Sequence, residues 1–357
     1  MDINFHYAVV KVLAHHAGFS KEESQVIAYA SQYVDDAVAH EPMPLDRDPN
    51  VSGIRFDVAD KVFDPICTAH KELDYLRSAW KRKGRLLVYV CFHFIPQLRG
   101  TPTGSEFKRV RRDGPLARKL VRSALRALRT ATDETEKTRA LISLGIALHS
   151  YADTWAHQRF SGEWDKANND MSNLKIKAAG ARWRDVDPVS WFLSYAMPNI
   201  GHAEAGSLPD RSEIAWKCSP SKRTPKGQTN CDEFLSAAEK ILSLLSRATG
   251  DGAKWSTVRG KLRKCFKKPV DHEDFNRSRK HEWRTQFPGL GFDYDERRWF
   301  DDALRPKEGF FDLVGSRLRL DPEDFELRSG REYFYFHAAA KEQRNTVLDA
   351  IRTASKP

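Results

Sequence analysis

His149, Asp153 and His157 stand four residues apart in the stretch Leu148-His-Ser-Tyr-Ala-Asp-Thr-Trp-Ala-His-Gln158. On an α-helix each step of four drifts by only about 40°, so the three side chains share one face. The run before them, residues 140–148, reads Ala-Leu-Ile-Ser-Leu-Gly-Ile-Ala-Leu. It is apolar on nearly every side, and a helix of that kind is buried. Two imidazoles and a carboxylate are therefore carried indoors together. An unpaired buried carboxylate is very costly, while imidazole nitrogen and carboxylate oxygen are good ligands for zinc and similar ions. A bound metal resolves the conflict; the plainer alternative is a hydrogen-bonded His/Asp network in a helical core.

Other groups of the same chemistry are spread along the chain. His6 sits in the first helical stretch. Asp35 and Asp36 close the second, where acidic residues oppose the helix macrodipole and so do not serve helix stability. His93 ends an apolar run just before Pro96, and His202 lies in a Gly/Pro-rich loop with Glu204 and Asp210. If these converge, they exceed what one tetrahedral ion requires, and a carboxylate such as Asp153 can bridge two ions. The expected cofactor is zinc, one to three ions, with other divalent metals as alternatives. Such a cluster brings the pKa of bound water toward 7 and clamps the attacking and leaving oxygens of a phosphate ester, so phosphoester hydrolysis is its natural chemistry. Asp153 and Asp36 are the expected catalytic carboxylates, one of the cluster's carboxylates acting as base. His15 and His16 point in different directions. His40, His70, His272, His281 and His337 stand in polar surroundings and read as surface residues.

The elements that must position these groups are mostly helical. Residues 5–18 and 20–40 read as two helices, the second opened by the capping box Ser20-Lys-Glu-Glu23. Residues 41–65 read as a loop with a short strand at Val51 to Phe56. In residues 86–96, Leu-Leu-Val-Tyr-Val-Cys-Phe-His-Phe-Ile-Pro, helix and strand are not separable by pattern. A basic loop, 97–114, leads into a helix from Pro115 to Thr130, where Arg118, Arg122, Arg126 and Arg129 form a cationic stripe. The helix carrying the opening motif spans 134–160. Residues 187–196 suggest another short helix, 217–230 a flexible surface loop and 231–249 a further helix. Beyond 267 the sequence turns irregular, with β-like aromatics at Tyr333-Phe-Tyr-Phe336 and a closing helix near 337–353. The expected fold is mainly α, a multi-helix bundle: a helical metal-binding domain over 1–250, with a basic insertion at 97–130, and a C-terminal accessory region over 251–357.

With 40% hydrophobic and 30% charged residues in 357, the composition is that of an ordinary globular protein. No apolar run approaches the roughly 18 to 20 residues that span a bilayer. The start, Met-Asp-Ile-Asn-Phe-His-Tyr, lacks the pattern of a secretory signal, so the expected location is cytoplasmic. Five scattered cysteines argue against a thiolate zinc site and a disulfide framework, with Cys218 and Cys231 left as a candidate redox pair. The net charge of +10 is local: residues 81–139 hold sixteen Lys/Arg against five Asp/Glu, and the rest is close to neutral. Such a segment suggests a phosphate-containing substrate, nucleic acid or an anionic membrane surface, with the arginine stripe as its anion-binding element.

The blocks Met-Asp-x-x-Phe-His-Tyr7, Ala28-Tyr-Ala-Ser-Gln-Tyr-Val-Asp-Asp36, Leu148 to Gln158, and Ile200-Gly-His202 to Pro209-Asp210 resemble an uncharacterised bacterial family of unknown function over about residues 1–215. The order of ligand types also resembles the zinc-dependent phospholipase C and single-strand nuclease superfamily. That resemblance implies a phospholipase C/nuclease-like bundle. It further implies His149 and Asp153 as core ligands with Asp153 the bridge, His6, Asp35 or Asp36, and His93 in the same half, and His157 and His202 with Asp210 or Glu204 holding a further ion. The sequence departs from the superfamily in three places. His157 stands closer to Asp153 than the pattern has it, position 206 is Gly where the pattern has Glu, and Asp2 is the stand-in for a processed N-terminus that serves as a ligand. The function expected is a metal-dependent phosphoric ester hydrolase. The alternative is a non-catalytic interaction or regulatory protein that keeps a structural His/Asp metal site. The lack of any His-Asp dipeptide argues against an HD-type phosphohydrolase, and the lack of Glu-x-x-His repeats against a ferritin-like di-iron oxygenase.

Overall fold

The computed structural model describes residues 1–39, 43–44, 62–70, 81–165, 168, 171–178, 181–186, 200–219, 229–268, 279–306, 325–327 and 332–356. These residues are mainly helical, with a small three-stranded sheet. The strand expected at Val51 to Phe56, the helix at 187–196 and most of the 217–230 loop lie outside the described residues.

The first helix, α1, begins as a π-helical stretch at Asn4–Val9 and continues through Val10–His16. Helix α2 is Lys21–Asp36, and its start is the expected capping box: the Ser20 side chain accepts from the Glu23 amide and Glu23 accepts from the Ser20 amide. The ambiguous apolar run is helical. Arg82–Gly84 leads into a second π-helical stretch, Arg85–His93, and the two form α3. Helix α4, Pro115–Thr130, starts with proline in its first turn after Gly114. Helix α5, Glu134–Ala156, is capped by the Asp133 carboxylate on the Glu136 amide at 2.8 Å, with Glu134 and Glu136 favouring its positive end.

Helix α5 is the axis of the molecule, packed against α2, α4 and α3, and against two later helices, α6 (Asn230–Thr249) and α10 (Glu332–Ala354). Between these lie α7 (Trp255–Lys267), α8 (Lys280–Gln286) and α9 (Arg298–Ala303). One hydrophobic cluster runs from Phe5 through Leu148 to Phe234, Phe266 and Phe336. The closest helix crossing is at Gly145. A Cβ there would lie 2.4 Å from the Ile27 carbonyl oxygen and 2.6 Å from Ala30 Cβ, so only glycine lets α5 approach α2 this nearly.

A second, smaller cluster, including Phe94, Phe160, Leu174, Ile200, Leu208 and Trp216, backs the sheet. Its strands β1 (Ser172–Ala178), β2 (Arg184–Asp185) and β3 (Ile214–Ser219) are antiparallel in the order β2-β1-β3. Residues 217–219, expected in a loop, complete β3. The two candidate redox cysteines are buried thiols not joined in a disulfide, and Cys91 and Cys265 are likewise buried thiols. Tyr333 to Phe336, expected as β-like, open α10 and are all buried; aromatics buried on every side leave no helical period to read. His337 on the same helix is 1% exposed, not a surface residue, and its Nδ1 accepts from the Ile66 amide at 3.0 Å. Among the described residues no helix is long and apolar enough to cross a membrane.

Candidate metal centre

The C-terminal turns of α5 deliver His149, Asp153 and His157, with exposures of 0%, 1% and 4%. One turn past the Gly145 crossing, His149 Nδ1 donates to the Ser31 carbonyl of α2 at 2.8 Å. Each π-helical segment adds one histidine. His6 stacks on His149 with ring centroids 3.7 Å apart and planes 21° off parallel, and His93 ends the second segment with its Nδ1 3.2 Å from His149 Nε2. Such turns are rare and recur at functional sites, because the wider turn re-aims side chains relative to the flanking helix. Asp35, the next-to-last residue of α2, lies 3.8 Å from His93 Nδ1 and 3.7 Å from His149 Nε2.

Asp153 is the hub. Its Oδ1 lies 2.5 Å from the Met1 amino group and 3.2 Å from His6 Nε2, and its Oδ2 lies 3.3 Å from His149 Nε2, 3.5 Å from His93 Nδ1 and 3.6 Å from His157 Nδ1. On the far side His157 Nε2 is 3.1 Å from Asp210 Oδ1 and His202 Nε2 is 3.2 Å from Asp210 Oδ2. Three groups have ligand atoms close enough to share an ion: His6, His149 and Asp153; Asp35, His93 and His149; and His157, His202 and Asp210.

Backbone carbonyls fix which nitrogen of each ring faces inward. His93 Nε2 donates to the Thr68 carbonyl at 2.8 Å, His157 Nδ1 to the His93 carbonyl at 2.8 Å and His202 Nδ1 to the Gly206 carbonyl at 2.7 Å. With His149 held in the same way, four rings are oriented by backbone carbonyls and turn their other nitrogens inward. Metal-ligating histidines are oriented by this arrangement. Neither nitrogen of His6, nor Asp153 Oδ2, has a hydrogen-bond partner among the described residues, although all three atoms are buried. Orphaned buried polar atoms are costly and call for an unseen partner.

Burial opposes charge on the Met1 amino group, but Asp153, Asp210 and Asp35 outweigh it and push its pKa up to about 11. Burial likewise works against ionised Asp153, yet His157, the Met1 amino group, His149 and His6 hold it well below the usual carboxylate range. Burial, reinforced by His149 and the Met1 amino group, holds His6 well below the ordinary imidazole value, so that ring is neutral and able to ligate. Asp35 goes the other way: burial raises it, only partly offset by His149 and His93.

Of the residues expected from sequence, the structure brings together His6, Asp35, His93, His149, Asp153, His157, His202 and Asp210. Asp36 is turned away, accepting from Gln32 Nε2 at 3.1 Å and Tyr294 Oη at 2.7 Å, so the adjacent carboxylates have separate tasks. Asp210, not Glu204, closes the group with His157 and His202. Asp2 does not stand in for an N-terminal ligand: it accepts from Asn4 and Arg279, while the Met1 amino group occupies the centre. That group has no side-chain signature, and sequence reasoning passed it over. His70, taken as a surface residue, lines the cavity beside the cluster.

That cavity holds about 370 Å³ and is walled by Asp35, Tyr89, His93, Phe94, Asp153, His157, Ile200, His202 and Asp210, among others. Phe94 stacks on His157 at 4.6 Å and 21°. Gly201, at φ +55°, makes room for it, since a Cβ there would fall 2.3 Å from the ring.

The arginine stripe is elsewhere. Arg118 pairs with Asp113, which also accepts from Tyr151 Oη at 2.6 Å, while Arg122, Arg126 and Arg129 are exposed further along α4. Helices α4 and α5 are joined by residues 131–133 and so run antiparallel. Arg122 to Arg129 therefore stand roughly 15 to 30 Å along the bundle from Asp153, at 1.5 Å per residue.

No curated protein and no solved structure matches the chain. Residues 1–351 match the model of a family described as a family of unknown function (DUF6765), and with nearly the whole chain covered the protein belongs to that family.

Proposed function

We propose that the protein is a metal-dependent phosphoric ester hydrolase, its metal zinc, acting on phosphodiester linkages of nucleic acid or phospholipid. The observation that carries this reading is the inward-facing set of imidazole nitrogens around Asp153, with neither nitrogen of His6 nor Asp153 Oδ2 in a hydrogen bond among the described residues. His6, His149 and Asp153, then Asp35 and His93, then His157, His202 and Asp210 would hold one to three ions, Asp153 shared between them. The order of these ligands along the chain resembles that of the zinc-dependent phospholipase C and single-strand nuclease superfamily, and the helical bundle that presents them is compatible with it. Bound there, the metal supplies an activated water and offsets phosphoryl charge.

The cavity supports catalysis over a purely structural role, because structural zinc sites are closed by protein ligands. Tyr89, Phe94 and Ile200 give it an apolar side for the non-phosphate part of a substrate. Among the described residues no lysine or arginine lines it and the Met1 amino group is its cation, which favours a diester with one negative charge over a monoester with two. Asp35, on its wall, is the carboxylate placed to take a proton from attacking water, the role first given to Asp36.

Elemental analysis of wild type beside Asp153→Asn, together with hydrolysis of a chromogenic phosphodiester before and after chelation, tests the reading. Zinc is expected in wild type and not in the variant, with diester hydrolysis lost alongside it. A wild type with no transition metal above the variant's level would refute the site. Bound metal with no cleavage of diester, monoester or phospholipid would point to a non-catalytic protein stabilised by its metal.

A further inference from the structure

We propose that the groove between α4 and α6 is a second binding site, a docking groove for the phosphate backbone of a single nucleic-acid strand, separate from the metal centre. It stands whether or not the metal centre is a hydrolase. Arg122, Arg126 and Arg129 from α4 face Arg247 from α6 across a cavity of about 280 Å³, floored by Leu125, Leu244 and Ala248. All four arginines are exposed, and among the described residues no ion pair holds any of them. Among the described residues no acidic side chain lines the groove. Four unneutralised guanidiniums around one concavity repel one another, and a multivalent anion relieves that repulsion.

The chemistry favours phosphate over other anions. Every cation in the groove is arginine, whose planar fork matches phosphate oxygens in a bidentate way. Arg122, Arg126 and Arg129 follow one another at helical spacing, which aligns their charges in a row suited to a chain of phosphates and not to one ion. A strand fits better than a membrane. A helix lying on lipid inserts large apolar side chains, but α4 buries its own, Leu116, Leu120 and Val121, in the core. The large exposed hydrophobics among the described residues, Val38, Trp164 and Trp183, are not in the groove.

The test is fluorescence anisotropy of the purified protein with a labelled single DNA strand of about 20 nucleotides, longer than typical single-strand site sizes. Four phosphate contacts at a slope of about −0.7 each predict roughly 50-fold weaker binding at 200 mM than at 50 mM salt. Arg126→Ala/Arg129→Ala should halve that slope and weaken binding about 20-fold at 100 mM salt. The same variant keeps wild-type metal content, and Asp153→Asn keeps wild-type strand affinity, so failure of this site and failure of the metal centre are read separately. Equal affinity or equal salt slope for wild type and the double variant overturns the proposal. So does binding to vesicles containing phosphatidylserine without binding to the strand.

Discussion

His93 Nδ1 and His149 Nε2 meet at 3.2 Å while each ring donates its other N–H to a backbone carbonyl, that of Thr68 and that of Ser31. Two such nitrogens repel unless a cation, a proton or a metal ion, sits between them, and a metal ion is one that both can bind. Zinc at 100 times its Kd adds about 2.7 kcal/mol of folding stability by linkage. At roughly 2 to 4 °C per kcal/mol for a chain of this size, chelation should lower Tm by about 5 to 10 °C, and added zinc should restore it. Superimposable melts with and without chelator would contradict the metal reading.

Gly145→Ala should act at a distance on the same centre. The new Cβ would press on the Ile27 carbonyl oxygen at 2.4 Å, prising α2 from α5 one turn before Ser31 holds His149. Overpacking of this kind costs about 1 to 3 kcal/mol. Urea denaturation reads the loss and elemental analysis the accompanying fall in bound metal; a variant as stable as wild type would show the crossing to be slack.

Arg279 fastens the segment beside the centre from far along the chain. It is 2% exposed and donates to Asp2 Oδ2 at 3.0 Å and Glu213 Oε2 at 2.7 Å. Arg279→Met keeps the bulk but leaves Glu213 buried without this partner, which should cost about 3 to 5 kcal/mol. An unchanged denaturation midpoint would mean that these ion pairs contribute nothing.

His337 gives the fold an acid sensitivity of its own. Burial pushes its pKa down to about 3, against the opposing contact of Nδ1 with the Ile66 carbonyl oxygen at 3.1 Å. The stability gained by keeping the ring neutral is full above the unfolded value near pH 6.5 and is lost as pH falls from there toward 3. At pH 5 the loss is about 2 kcal/mol. Comparing urea denaturation at pH 7 and pH 5, wild type should lose that much more than His337→Gln; parallel losses would remove the assignment.

Local chemistry made several elements legible before any fold was known. The capping box of Ser20 and Glu23, the Gly114-Pro115 start of α4 and the spacing of His149, Asp153 and His157 each depend on residues within a turn or two of one another. The choice between Asp35 and Asp36 does not. Tyr294, far along the chain, takes Asp36, and no pattern around residue 35 records it. The stripe of arginines was legible as a stripe, but its distance from the metal centre follows from the antiparallel joining of α4 and α5. His337 and the aromatics before it were misread because a helix buried on all sides has neither a polar face nor a period.

The two π-helical segments make the centre sensitive to chain length as well as to residue identity. Each holds one more residue per turn than the α-helix it interrupts, and each presents a histidine, His6 or His93, from that wider turn. Removing one residue from either segment would let it tighten to α-helical register and swing what lies beyond by about 100°. Every ligand would keep its identity while the ring left its partners. Among relatives of this chain, single-residue insertions and deletions in these two segments would separate those that retain the centre from those that carry only its residues.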